Sequence, residues 1–374
     1  MVNPINKSIP EEYLKLSPTE IDKRILSAKK KLGKNVVILG HNYQREDILK
    51  HADFLGDSYK LCLATMKQSA KYIVFCGVHF MAESADILSR KNQIVILPDL
   101  KAGCSLADMA YGPDVEKAWR EIVQITNDFV PISYINSTAK IKAFCGKNLG
   151  ATCTSSNVTD IFSNMFSNCK KIIFFPDEHL GRYAALKLGI LEDEIILWDP
   201  KLRFGGNPAE KIATARVILW KGFCYVHQQF KADDISRLRK KYPGIKVIVH
   251  PECTYDVLQQ ADFIGSTEFI IQEVSKAPDG SKWAIGTEIH LVSRLKNMFP
   301  DKMIVSVSEN MCLCSTMYRI NPASLAWVLE GLLRGEIINQ IKVPENIAKD
   351  AKIALDRMIE FTGKKKMEKV VEVD

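Results

Sequence analysis

IVILPDLKAGC (94–104), RVILWKGFC (216–224) and MIVSVSENMCLC (303–314) decide the reading of this chain. Each is an apolar run of strand length that gives way to turn-forming or polar residues and then to a cysteine. Each also closes a stretch in which strands alternate with helices. The first stretch reads VVILGHNY (36–43), a helix after Glu46, YIVFCG (72–77), a helix near Ala82–Ser89, then IVILPD (94–99). The second reads VPISYINS (130–137), ATCTSS (151–156), KIIFFPD (171–177), EIILWD (194–199), then VILW (217–220). The third reads KVIVHPE (246–252), DFIGST (262–267), KWAIGTE (282–288), then MIVSVS (303–308). Such alternation predicts parallel α/β layers. Three such stretches predict three architectural repeats. If the repeats face one centre, Cys104, Cys224 and Cys314 meet there. Three thiolates around one point indicate a metal or cluster with an open position, a catalytic arrangement.

The boundaries follow from this pattern: 1–34 as an N-terminal helical segment, then units at 35–112, 113–228 and 229–320. The segment 321–374 reads helical, with Trp327 and Leu332–Leu333 on an apolar stripe, and is expected to pack back on the first unit. The first clear helix starts at Ser17, with Pro18 and Glu20 completing an N-terminal signature and Gly33 as its stop. No Pro/Ser-rich linker separates the units.

Of 374 residues, 47% are hydrophobic and 25% charged, the proportions of an ordinary globular protein with several units. No uncharged run reaches the length of a membrane span, and MVNPINKSIPEEYLKLSPTE lacks an apolar signal core. A cytoplasmic location is therefore expected, with reduced thiols. The net charge of +7 is spread in short lysine runs without aromatic interleaving, which argues against nucleic-acid binding.

Cys62, Cys76, Cys145, Cys153, Cys169 and Cys253 sit in or beside apolar runs and read as small buried side chains. Cys104, Cys224 and Cys314 lie past strand ends and are the ligand candidates. Spacing alone leaves open whether Cys312 or Cys314 points at the centre. No CxxC occurs, against a zinc ribbon or a thioredoxin-type pair. His41, His227 and His250 lie near strand ends or a candidate cysteine, whereas His51, His79, His179 and His290 lack such company. CTSSNVTDIF and IGSTEFI run from a strand into a helix through hydroxyls, as does GDS (56–58). Singly, such a junction serves an anion or a plain helix cap equally well, but together they favour a phosphate or carboxylate pocket. Glu252, in HPEC, qualifies as a general base provided burial raises its pKa; a structural ion pair is the alternative.

Taken in order, HNYQREDILKHADFLGDS, YIVFCGVHFMAE, ILPDLKAGCSLAD, YINST, CTSSN, FFPDEHLG, CYVHQQF, VHPEC, IGST, IGTEIHLV and ENMCLCSTM resemble the quinolinate synthase family. The resemblance implies three αβα units with pseudo-threefold symmetry around a central site. It implies condensation of iminoaspartate with dihydroxyacetone phosphate to quinolinate, phosphate and water, in the biosynthesis of NAD. It further implies one 4Fe–4S cluster held by Cys104, Cys224 and Cys314, with one iron open as a Lewis acid for dehydration. The spacing Cys314-Ser315-Thr316-Met317 selects Cys314 over Cys312 by this resemblance, which leaves Cys312 structural or redox-sensitive.

Carried over by motif, His41 and Ser58 match positions for the iminoaspartate-derived part, and Tyr134 and Asn136 a substrate-orienting pair. Ser155 and Thr267 match anion-holding hydroxyls, and His250 and Glu252 the reacting centre. Tyr43, His227 and Ser266 are neighbours of these positions. Glu252 is the expected base and Tyr134 a proton relay. Unstable iminoaspartate implies functional coupling to an L-aspartate oxidase. Three rival readings stand beside this one. They are a zinc hydrolase using Cys224 and His227, a non-enzymatic iron–sulfur sensor, and a metal-free phosphate-binding transferase with all cysteines in the core.

Overall fold

The computed structural model describes residues 9–167, 171–310 and 312–371. Cys169 lies outside the described residues, as do the first eight positions and the last three.

Val/Ile-rich runs form three parallel sheets. The first contains β1 (Val36–His41), β2 (Phe54–Gly56), β3 (Tyr72–Cys76) and β4 (Ile94–Ile96). The second contains β5 (Phe129–Tyr134), β6 (Ala151–Cys153), β7 (Lys171–Phe175), β8 (Ile195–Trp198) and β9 (Val217–Trp220). The third contains β10 (Lys246–Val249), β11 (Phe263–Ile264), β12 (Lys282–Gly286) and β13 (Met303–Ser306). Strand orders are β2-β1-β3-β4, β6-β5-β7-β9-β8 and β11-β10-β12-β13. Four strands thus repeat one order, and β8 is an extra edge strand that pairs with β9 through Ile196↔Ile218. The strand that opens each unit lies inside its sheet, and all six residues of β1 are buried. Such near-continuous apolar strands are what a parallel sheet covered on both faces requires.

The expected helix at Ser17 spans Pro18–Leu32, and its start is a full capping box. Glu20 N–H donates to Ser17 Oγ at 3.3 Å, and Ser17 N–H donates to Glu20 Oε2 at 3.0 Å. Gly33 ends it at φ 54°, a left-handed value that costs glycine nothing. Its stripe of Ile21, Ile25, Ala28 and Leu32 is buried.

The C-terminal segment divides between two units. Helix Pro322–Leu333 lies against Pro18–Leu32, where Glu330 accepts from Tyr13 Oη at 2.6 Å and Arg24 Nε at 2.7 Å. Strand β14 (Gln340–Ile341) then pairs antiparallel with β4 and extends the first sheet. Helix Glu345–Val371 instead runs along Ala139–Lys147 and β6 of the second unit, with a smaller contact to His79–Leu88. Arg357 Nη1 donates to Gly150 O at 2.6 Å, and Asn157 Nδ2 to Thr362 Oγ1 at 2.9 Å. Gly146 lets these helices approach, since a Cβ there would fall 1.9 Å from Asp350 O.

That clash is with backbone, which cannot rotate away. We therefore expect Gly146→Ala to lower stability by about 1–3 kcal/mol, the usual cost of overpacking. The check is the midpoint of urea unfolding, together with limited proteolysis of the last helix. An unchanged midpoint and an unchanged cleavage pattern would contradict this packing.

Candidate active site

In each unit the opening strand ends in the most reactive side chains: His41 and Tyr43 after β1, Tyr134 and Asn136 at β5, His250 and Glu252 after β10. The neighbouring edge strand leads into a hydroxyl: Ser58 after β2 and Thr267 after β11, each the first residue of a helix, and Ser155 after β6, in the turn before helix Val158–Phe166. The fourth strand of the shared order leads to a cysteine: Cys104 after β4, Cys224 after β9, Cys314 after β13. All twelve line one cavity, with about 670 Å³ of space not filled by protein atoms, part of it open to solvent. This is the carboxyl-end placement expected of ligands in open α/β sheets. Only Ser266, among the sequence-selected residues, does not line it. Its Oγ accepts from Phe269 N–H and caps helix Thr267–Lys276, so the two hydroxyls of IGST divide the capping and cavity roles.

A buried carboxylate organises one wall. Glu252 Oε2 lies 2.9 Å from His227 Nδ1 and 3.0 Å from His250 Nδ1, and the two rings stack with centroids 4.7 Å apart. Burial on its own pushes Glu252 upward, but the two imidazoles prevail and hold its carboxyl below the usual range. The condition attached to Glu252 in the sequence, a raised pKa, is therefore not met: the group is an ionised partner of two histidines. Burial lowers His250, while Glu252 opposes that shift. Burial, with Arg294 and His250 nearby, brings His41 down to about 3, so it is a neutral imidazole. Burial and the Glu252 charge push the phenols of Tyr43 and Tyr134 far up, so both keep their protons.

Thr287 joins the units at this wall. Its Oγ1 lies 2.6 Å from Tyr43 Oη and 3.3 Å from His227 Nε2. Thr287 is completely buried, and neither it nor Asp57, Thr154, Glu288 or Met317 was selected from sequence. The signal was present for Thr287-Glu288, which follow β12 as polar residues at a strand end. Glu288 fixes the loop that follows β13. Its Oε1 accepts from Cys314 N–H at 3.3 Å and lies 2.9 Å from His290 Nδ1. An apolar lining of Val78, Phe80, Met81, Ile135, Val226 and Met317 completes the cavity.

The cysteines separate by environment. Cys104, Cys224 and Cys314 reach the cavity from three sheets, and each sulfur faces backbone N–H groups two or three residues on: Leu106 and Ala107, His227, and Thr316 and Met317. Burial pushes Cys104 up to about 12, and Cys224 and Cys314 upward as well, so the free thiols are protonated. The N–H groups oppose that shift and favour the thiolate, as they do around metal-bound sulfur. Cys312 is fully buried in the apolar core of the third unit, its Sγ 3.6 Å from Asn310 O, and does not line the cavity. Cys62, Cys76, Cys145, Cys153 and Cys253 are buried core residues. Among the described residues, Cys224, His227 and Glu252 are the group whose ligand atoms, all within 4.8 Å of one another, come close enough to share a single ion. No described helix is long and apolar enough to cross a membrane.

The family model described as "Quinolinate synthetase A protein" matches residues 23–360. A quinolinate synthase of Herpetosiphon aurantiacus is 54% identical over 94% of this chain and 96% of its own length. One from Acidobacterium capsulatum is 52% identical with the same coverage, and one from Bacillus cereus 48% identical over 96% of this chain and 98% of its own. With the whole cavity falling inside the matched region, the chain belongs to the quinolinate synthetase A family.

Proposed function

We propose that this chain condenses iminoaspartate with dihydroxyacetone phosphate and releases quinolinate, phosphate and water. In this reading Cys104, Cys224 and Cys314 hold one 4Fe–4S cluster. The observation that carries it is three thiols from three separate units lining one cavity, together with a buried carboxylate paired with two imidazoles. Family membership supports the same activity. The donor set fits such a cluster: soft sulfur ligands, three in number, each with backbone N–H groups at hand. When bound, a cluster with three protein ligands supplies a Lewis acid toward a substrate oxygen.

The remaining work falls to the side chains. The Nδ1 atoms of His227 and His250 face Glu252, and His227 Nε2 meets Thr287. That leaves His250 Nε2 as the group to accept a proton from substrate carbon or nitrogen, with Glu252 stabilising the resulting imidazolium. Tyr43 and Tyr134, held protonated, donate to carbonyl or hydroxyl oxygens. Ser58 and Thr267, at the starts of two helices, and Ser155, in the turn before a third, receive carboxylate and phosphate oxygens. The apolar lining keeps water from the reactive imine. Because iminoaspartate hydrolyses readily, the reading includes supply by an L-aspartate oxidase in the cytoplasm.

A second reading rests on the Cys224–His227–Glu252 group, which has the donor types and closeness for one zinc ion and a hydrolytic water. Metal analysis separates the two. Anaerobically purified protein is expected to carry about four irons and four sulfides per chain, the content of a single cubane cluster. One zinc and no sulfide would replace the first reading with the second. Cys314→Ala is expected to lose the iron and Cys312→Ala to keep it. The opposite result would exchange their roles.

Glu252→Gln removes the charge but keeps the shape. Its kcat is expected to fall by about 10²–10⁴, the range of a general acid–base contribution, with iron content unchanged. Wild-type turnover in this variant would remove Glu252 from the chemistry.

A further inference from the structure

The seam between the first and third units contains a side-chain amide with only one possible orientation. Asn42 follows β1 and is 2% exposed. Its Oδ1 accepts from Arg294 Nη2 at 3.0 Å. Its Nδ2 donates to Thr267 Oγ1 at 2.9 Å and to Glu268 Oε1 at 3.0 Å. A guanidinium has only donors and an ionised carboxylate only acceptors. Arg294 therefore demands the amide oxygen and Glu268 the amide nitrogen, and together they exclude the flipped amide.

This orientation has a consequence for Thr267. An N–H aimed at Oγ1 makes that oxygen an acceptor, and the hydroxyl hydrogen must point elsewhere. Among the described residues that hydrogen meets no acceptor from the protein. Thr267 is 3% exposed and lines the cavity as the first residue of the ten-residue helix Thr267–Lys276. A buried donor without a partner is costly, and a ligand oxygen relieves that cost. Had Asn42 presented its oxygen instead, the hydroxyl would have donated to it and turned a lone pair to the cavity. A lone pair there repels an anion.

We propose that Asn42 and Arg294 are positioning residues that commit Thr267 to donate a hydrogen bond to an anionic ligand oxygen, of a carboxylate or a phosphate. Arg294 stands on helix Ile289–Met298 and is not among the residues that line the cavity, so it acts through Asn42. The inference rests on the anion-holding role given above to Thr267.

Calorimetric titration of inorganic phosphate and of succinate into the anaerobically purified full chain tests it, the two arms telling which anion faces Thr267. Asn42→Asp keeps an acceptor for Arg294 but offers Thr267 another acceptor, which captures its hydrogen. Affinity for the responding anion is expected to fall about tenfold to a hundredfold, the worth of one hydrogen bond to a charged group. Thr267→Val should cost as much, and adding Asn42→Asp to it should cost nothing further, because the two act as a unit. Arg294→Leu frees the amide to turn and should weaken binding, whereas Arg294→Lys, still purely a donor, should restore it. The proposal is overturned if Asn42→Asp leaves both affinities unchanged. It is equally overturned if Asn42→Asp costs as much in the Thr267→Val background as alone. Should Asn42→Asp fail to fold, the Arg294 pair decides, and equal affinities for the Leu and Lys variants overturn it. A wild-type chain that binds neither anion overturns the anion-holding reading itself, a distinct result, and this inference with it.

Discussion

Parallel strand pairing is the constraint on which the cavity depends. Strands that run the same way need crossovers over the sheet face, so all their carboxyl ends emerge along one edge. Three sheets built in one order therefore present three equivalent sets of loops. The opening strand of each unit lies inside its sheet and leads to His41 and Tyr43, to Tyr134, or to His250 and Glu252, while His227 comes from the loop after β9. The edge strand beside it is short and leads within a few residues into a helix, which suits a hydroxyl and an anion. The fourth strand brings a cysteine from a longer loop. Sequence position within a unit thus decides chemical role, and the three units differ in residue type more than in placement.

Electrostatics then distinguishes the components of the shared cavity. Glu252 is ionised because it keeps two imidazoles within 3.0 Å, which offsets the desolvation that would otherwise neutralise it. The phenols around it respond oppositely, held protonated by burial and by its charge. One wall therefore supplies a fixed negative charge, neutral donors and an imidazole with an available nitrogen. The thiols sit in the same buried setting and favour the protonated form until a metal compensates the thiolate. Metal affinity in such a site carries the cost of releasing those protons, so it strengthens as pH rises toward the thiol range.

Much of this was legible in the sequence, because strand ends in parallel sheets announce themselves by a change from Val/Ile to polar residues. The matching ends HNY, YIN and HPE occupy one strand position in the structure, as do TSS and GST. Leu97-Pro98-Asp99, Phe175-Pro176-Asp177 and Gly286-Thr287-Glu288 also end strands, but not at one position in the unit. The first follows a fourth strand, and the other two follow third strands. Strands β2 and β14 escaped notice because three and two residues are too few for a periodic signal. The tail was read as one helical segment, yet its last helix rests on the second unit. That preference comes from the small residue Gly146 on a distant helix, and no local pattern reports it. Glu252 shows a different limit. Its neighbour His250 is visible two residues away, but His227 arrives from another unit, and the two imidazoles together hold the carboxyl down against burial.

Contacts between units are therefore as important to the site as the units themselves. Tyr43 of the first unit and His227 of the second meet at Thr287 of the third, and Asn42 ties the first unit to Thr267 and Arg294 of the third. None of these bonds could form within a single sheet. Each is directional and at least partly buried, and each loses its partner if the units shift by about an ångström, beyond the tolerance of a hydrogen bond. The alignment of the three thiols is thus linked to the alignment of the proton-transfer groups. A displacement that spoils one spoils the other, so under the proposed function cluster binding and substrate orientation select the same arrangement of units.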